Sequence, residues 1–145
     1  MKFSVSDNRL VFSGDGFEPK FTENHDFWRL FLDDGDYKEI SVFSHMQTPV
    51  RIDENENGFE IKYEKITDRH GKAYDIALTV YGEYDGELLN LTAKIENKSE
   101  VTVNEIMLPY ISCLDLGCRP EEEIFYRPDG LGAKIKNPRA CVQWG

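Results

Sequence analysis

Turn chemistry most constrains what this chain can fold into. Asp15-Gly16, Asp34-Gly35, Asn57-Gly58, Asp85-Gly86 and Asp129-Gly130 are five dipeptides that favour tight hairpin turns, because Gly, Asn and Asp tolerate positive φ. Between them the side chains alternate with period two. Phe59, Ile61 and Tyr63 interleave with Glu60, Lys62 and Glu64, a pattern that puts apolar groups on one face of a strand and charges on the other. The clearest hairpin joins 74–84 to 87–97, with Leu89, Leu91, Ala93 and Ile95 pointing one way and Asn90, Thr92, Lys94 and Glu96 the other. Asp85-Gly86 supplies its two-residue, type I′ link.

Further strands are expected at 2–5, 9–13, 26–32, 37–43, 50–53, 101–106, 109–113, 124–127, 133–136 and 141–144. In 27–32 the run Phe-Trp-Arg-Leu-Phe-Leu is largely apolar on both faces, which marks a strand covered on both sides. No window carries a sustained 3.6-residue period, and Pro49, Pro109 and Pro138 break the weaker ones. The expectation is an all-β chain, an antiparallel sandwich of about ten to twelve short strands with little or no helix. No repeat or Ser/Gly linker divides it, so residues 1–145 read as a single domain.

The chain has 145 residues, 27 acidic against 17 basic, for a net charge of -10. A chain of this size buries roughly 68–70% of its unfolded surface, enough for a core without metal or disulfide staples. The excess negative charge disfavours nucleic acid and anionic membranes, which both call for clustered Lys and Arg. No apolar run is long enough for a transmembrane helix. The residues after Met1 lack the apolar core of a signal peptide. Cys113, Cys118 and Cys141 are an odd, sparse set. They read as reduced thiols, which favours a cytoplasmic setting, the compartment being otherwise open. No metal site and no cofactor is expected.

One calcium pattern is complete. Asp53-x-Asn55-x-Asn57-Gly58, five residues, then Glu64 matches the EF-hand loop. Its flanks disagree, since Pro49 precedes it and a strand pattern follows, so it reads as an acidic hairpin turn. The runs Asp33-Asp34-Gly35-Asp36 and Glu121-Glu122-Glu123 read as solvated hairpin tips rather than as the buried carboxylate pair of a glycosidase. No nucleophile elbow, P-loop or dinucleotide fingerprint is present. His45 and His70 are candidate acid–base groups, His70 following Asp68-Arg69 in a polar turn, but both read as exposed loop histidines. Aromatic rings are the remaining asset, because a ring can stack on a pyranose while Asp, Asn or Gln bonds its hydroxyls. Tyr81, pointing away from Leu78 and Val80, Tyr84 beside it, and Trp144 near the end are the candidate carbohydrate-binding residues. No catalytic residue is assigned.

The segments 89–99 (LNLTAKIENKS), 101–111 (VTVNEIMLPYI) and Leu114-Asp115-Leu116-Gly117, with Phe27-Trp28-Arg29-Leu30 and 126–135 (YRPDGLGAKI), carry a likeness over roughly residues 26–145. The chain resembles the N-terminal β-supersandwich, of galactose-mutarotase-like fold, that precedes the catalytic barrel in multidomain glycoside hydrolases. That resemblance implies a non-catalytic module, whose partners are carbohydrate and the catalytic domain of the same parent chain. It would pack on the barrel and help shape the glycan site. No catalytic residue of the family carries over to a position here. Two alternatives stand beside it: a free-standing carbohydrate-binding module, and a sugar epimerase using a histidine and a carboxylate. The apolar ending Val142-Gln143-Trp144-Gly145, and a length short for a supersandwich, suggest part of a longer protein.

Overall fold

The computed structural model describes residues 2–6, 9–14, 20–21, 25–36, 39–110, 114–115, 119–127 and 133–137. Among these, every regular element is a strand or a single 3-10 turn, and every strand pairing is antiparallel. β1 (Lys2–Ser6) pairs with β2 (Arg9–Ser13). β3 (Lys20–Phe21) meets the short β11 (Leu114–Asp115), and β12 (Ile124–Arg127) pairs with β13 (Ala133–Lys136). The two larger sheets make the sandwich. One holds β4 (Arg29–Asp33) between β10 (Thr102–Met107) and β5 (Glu39–Phe43). The other orders β6 (Arg51–Asn55), β7 (Gly58–Tyr63), β8 (Ile76–Tyr84) and β9 (Leu89–Asn97) in sequence. No helix of the described residues is long and apolar enough to cross a membrane.

The core lies where the two sheets face each other. Trp28, Leu30, Leu32 and Val42 from one side meet Ile61, Tyr63, Leu78 and Val80 from the other, all essentially without solvent exposure. Trp28 stands edge-on to Tyr63 with centroids 5.1 Å apart, and Phe27 edge-on to Phe59 at 6.1 Å. Such T-shaped pairs set the rim of one ring against the face of the next. Burial pushes the Tyr63 phenol up to about 12, against a smaller opposite pull from the Trp28 indole. Gly82 makes room here, because a Cβ at that position would strike the Phe59 ring.

Several boundaries differ from the sequence expectation, each for a local reason. β4 starts at Arg29 rather than 26 because the preceding amides are bonded elsewhere. Ser44 Oγ accepts from the Phe27 N–H at 2.8 Å and the Trp28 N–H at 3.4 Å, and the Ser44 N–H donates to the Trp28 carbonyl. Side-chain bonding of this kind competes with the ladder. The β8–β9 link is four residues, 85–88, not two. Tyr84 pairs with Leu89, and Asp85 Oδ1 accepts from the Glu87 and Leu88 amides, closing a wider loop around Gly86 at φ 100. In the β6–β7 hairpin the loop residues are Glu56 and Asn57, with Gly58 already paired to Asn55. The expected strand 109–113 does not form at Pro109 and Tyr110, where the Tyr110 N–H donates to the Phe27 carbonyl instead. The expected strand 141–144, the three cysteines, Asp15-Gly16 and Asp129-Gly130 lie outside the described residues.

Candidate carbohydrate-binding face

The pleat turns alternate residues of β6–β9 away from the core. Register then aligns Asp53, Glu60, Tyr81 and Thr92 into one row that crosses all four strands. Beside it runs a basic row, Arg51, Lys62, Thr79 and Lys94; on the other side lie Asn55, Gly58, Glu83 and Asn90. Ion pairs on this face run along single strands at i to i+2. Arg51 pairs with Asp53, Lys62 with Glu64 at 3.0 Å, and Lys94 with Glu96 at 2.6 Å. The hydrogen bond to Glu96 raises the Lys94 ammonium, and the same bond lowers the Glu96 carboxyl. These pairs are solvent-exposed and contribute little to stability.

Tyr81 is half-buried in an open depression shared with Arg51, Asp53, Asn55, Asn57 and Glu60. Carboxylate and amide oxygens accept, amide and guanidinium N–H groups donate, and one aromatic ring stands among them. That is the donor and acceptor set a polyol requires.

The structure does not bring the sequence-nominated residues together. Tyr84, three positions after Tyr81, lies on the opposite face of β8. Its ring packs at 71° against Phe3 with centroids 5.7 Å apart, and its hydroxyl donates to the Gly86 carbonyl at 2.6 Å. Trp144 lies outside the described residues. The neighbours that complete the Tyr81 row, Asp53, Glu60 and Thr92, escaped the sequence reading because they come from three other strands. The buried face of each strand and the turns between strands fix that register together, and β7 is joined to β8 by the long connection 64–75 rather than by a tight hairpin.

The EF-hand pattern folds as the β6–β7 hairpin. Asp53 stands opposite Glu60, and Glu64 lies four residues beyond Glu60, just past the end of β7, roughly 13 Å away at strand rise. The two end ligands of the pattern therefore cannot converge on one ion. Among the described residues no group of three or more His, Cys, Asp and Glu side chains is gathered for a metal. The acidic runs divide. Asp33 and Asp34 accept from the Gly35 and Asp36 amides in an exposed turn. Glu121 and Glu122 are exposed, but Glu123 is buried rather than solvated, its carbonyl accepting the Asn137 amide.

The histidines differ too. His70 is exposed, with its Nε2 accepting from Arg69 Nε at 3.1 Å. Asp68 organises that loop: Oδ1 accepts from the His70 and Lys72 amides, and Oδ2 from the Tyr74 hydroxyl at 3.0 Å. Burial pushes the Asp68 carboxyl up, but these three donors outweigh it and hold the group below its ordinary range. Burial and the Asp68 bond together push Tyr74 up to about 12.

His45 has a partner that the sequence did not show. Its Nδ1 lies 2.8 Å from Asp26 Oδ1, which also accepts from the His45 amide and from Ser44 Oγ. The carboxylate sits between serine and histidine, whereas nucleophilic catalysis needs the base in contact with the hydroxyl. Ser44 is moreover fully buried. The cluster pins the entry of β4 to the end of β5 and leaves His45 half-buried at the surface.

No known protein family matches the chain, and no curated protein or solved structure matches it either.

Proposed function

We propose that the chain is a non-catalytic β-sandwich module of a carbohydrate-active enzyme, which contacts glycan through the outer face of β6–β9. One observation supports this reading: the Asp53–Glu60–Tyr81–Thr92 row, an aromatic ring set among two carboxylates and a hydroxyl on an open sheet. Stacking of the ring on a sugar and bidentate bonding of its hydroxyls would together give orientation and selectivity. A catalytic domain in the same parent chain is the partner this module would serve, presenting substrate to it.

Calorimetric titration with neutral oligosaccharides of glucose, galactose and mannose tests the reading. At least one should bind, and Tyr81→Ala should weaken it roughly tenfold, about 1.4 kcal/mol. Tyr84→Phe should leave it unchanged. Absence of binding across the three series, or equal binding by Tyr81→Ala, would remove the assignment.

The Asp26–His45 pair favours one other reading, a sugar epimerase using a histidine and a carboxylate. Polarimetry of fresh α-glucose or α-galactose decides between them. Mutarotation above the spontaneous rate, lost in His45→Gln, would replace the non-catalytic reading.

A further inference from the structure

One end of the outer face of β6–β9 departs from the acid excess of the chain. Lys62, Glu64 and Lys65 on one side, and Lys94, Glu96 and Lys98 on the other, line a depression of about 350 Å³ with Asp75, Ala77 and Thr79. Ala77 and Thr79 belong to the central strand β8, so short side chains floor the trough and long charged ones wall it. Register sets Lys62 and Lys94 on either side of Thr79, with their backbones two strand spacings, about 10 Å, apart. Four ammoniums meet three carboxylates here, an excess of one positive charge in a chain whose net charge is -10. Among the described residues Lys62 and Lys94 each pair with one exposed carboxylate, and no ion pair engages Lys65 or Lys98. The Tyr81 depression on the same face has the opposite balance, Arg51 standing against Asp53, Glu60 and Glu83.

An ammonium carries three N–H donors, so one exposed carboxylate does not saturate it. Two ammoniums flanking a hydroxyl suit an anionic group, which they hold as point charges rather than by a planar fork. Thr79 precedes Tyr81 by two residues on the same face of β8, about 7 Å along the strand. A sugar stacked on Tyr81 therefore carries its neighbouring unit toward Lys62, Thr79 and Lys94. The carboxylates around Tyr81 repel an acid at that ring, which leaves the anion to the neighbouring unit. We propose that the Lys62–Thr79–Lys94 trough is an anion subsite and that the glycan of this face is acidic. A neutral sugar covers Tyr81, and the unit beside it bears a carboxylate or a sulfate ester. This rests on the reading of Tyr81 as a sugar platform and names the substrate class that the reading leaves open.

The test is calorimetric titration of the full chain at low ionic strength with oligosaccharides of glucose, galactose and mannose in three forms. One form is neutral, one is partly oxidised at C6 to uronates, and one carries sulfate esters. In at least one series an anionic form should bind roughly fivefold tighter than its neutral parent, the size of two exposed ion contacts. A gain for the uronate alone, the sulfate alone or both supports the proposal and identifies the anion. The gain should vanish in 1 M sodium chloride, where the screening length falls to about 3 Å. It should shrink in Lys62→Gln and in Lys94→Gln, and persist in Lys20→Gln, which removes the same charge from β3. Tyr81→Ala should weaken neutral and anionic forms alike. Equal affinity of neutral and anionic forms, with both lost in Tyr81→Ala, would overturn the anion subsite and leave the sugar platform standing. Anion binding indifferent to Tyr81→Ala would be charge attraction without sugar contact and would overturn both, as would no binding in any series. Should a lysine variant fail to fold, the salt dependence and the comparison of forms decide alone.

Discussion

β4 and β8 occupy equivalent places, each hydrogen-bonded to a strand on either side, and they solve the burial problem differently. Along β8 every second residue from Ile76 to Gly82 is buried and the intervening ones are not. On β4, Leu30, Phe31 and Leu32 are buried in succession. Phe31 therefore hides on the side away from the core that Leu30 and Leu32 build, beneath Arg29 and close to the Ser41 backbone. A central position in a sheet does not decide whether the outer face is wet. The side chains supplied to that face decide it.

The largest test is Phe31→Ala. If β4 is covered on both faces, deleting an 8%-exposed ring should cost about 3 kcal/mol, read from a urea midpoint shift. A cost under about 1 kcal/mol, the range of surface substitutions, would break the contrast with β8. Next is Gly82→Ala, on the inner face of β8. The added methyl meets the Phe59 ring, which Phe3 and Phe27 confine. Overpacking should cost about 2 kcal/mol. The position immediately before it, Tyr81, should behave oppositely, and that adjacent pair sharpens the comparison within one strand.

β8 was legible in the sequence because one of its faces is polar, so hydrophobic periodicity declares both faces at once. The all-β class and most strand positions followed from the same alternation and from turn residues. β4 was legible as a doubly covered strand from its apolar run, but its first three expected residues were lost to Ser44, fifteen and more positions downstream. Nothing local announces that a serine hydroxyl will capture two amides. The site was less legible still. Tyr81 could be nominated alone, whereas its row depends on three registers, and Tyr84 fell on the wrong face through strand parity that the sequence already contained. The Asp26–His45 contact spans nineteen positions and rests on the β4–β5 register, not on any motif.

The connection that feeds β8 has its own test. Asp68 is held below its usual range by three donors, so its contribution is complete above the unfolded value near 3.9. It should fade as pH falls through the still lower folded value. Tyr74 is the mirror case: raised to about 12, it stabilises fully below its unfolded value near 10. That support should fade as pH rises from there toward 12. Asp68→Asn should cost about 1–2 kcal/mol at neutral pH, and the variant's stability should lose part of the acid dependence below the ordinary carboxylate value near 3.9. A wild-type pH profile in which Asp68→Asn changes only the height, not the acid slope, would place that slope elsewhere.

The smallest stability effect belongs to Tyr81→Ala, and it separates a recognition face from a structural one. Its neighbours across the ladder are Glu60 and Thr92, neither of which needs an aromatic ring to fill space. Truncation should therefore cost less than about 1 kcal/mol, the size of a cross-strand pair, in the urea titration used for Phe31→Ala. Glycan binding, in contrast, should fall roughly tenfold. A large stability loss would mean that Tyr81 is packed as Phe31 is, and β8 would then be a second doubly covered strand with no free ring to offer a sugar. Unchanged stability together with unchanged binding would leave the outer face of β8 a solvated surface whose alternating charges serve solubility alone.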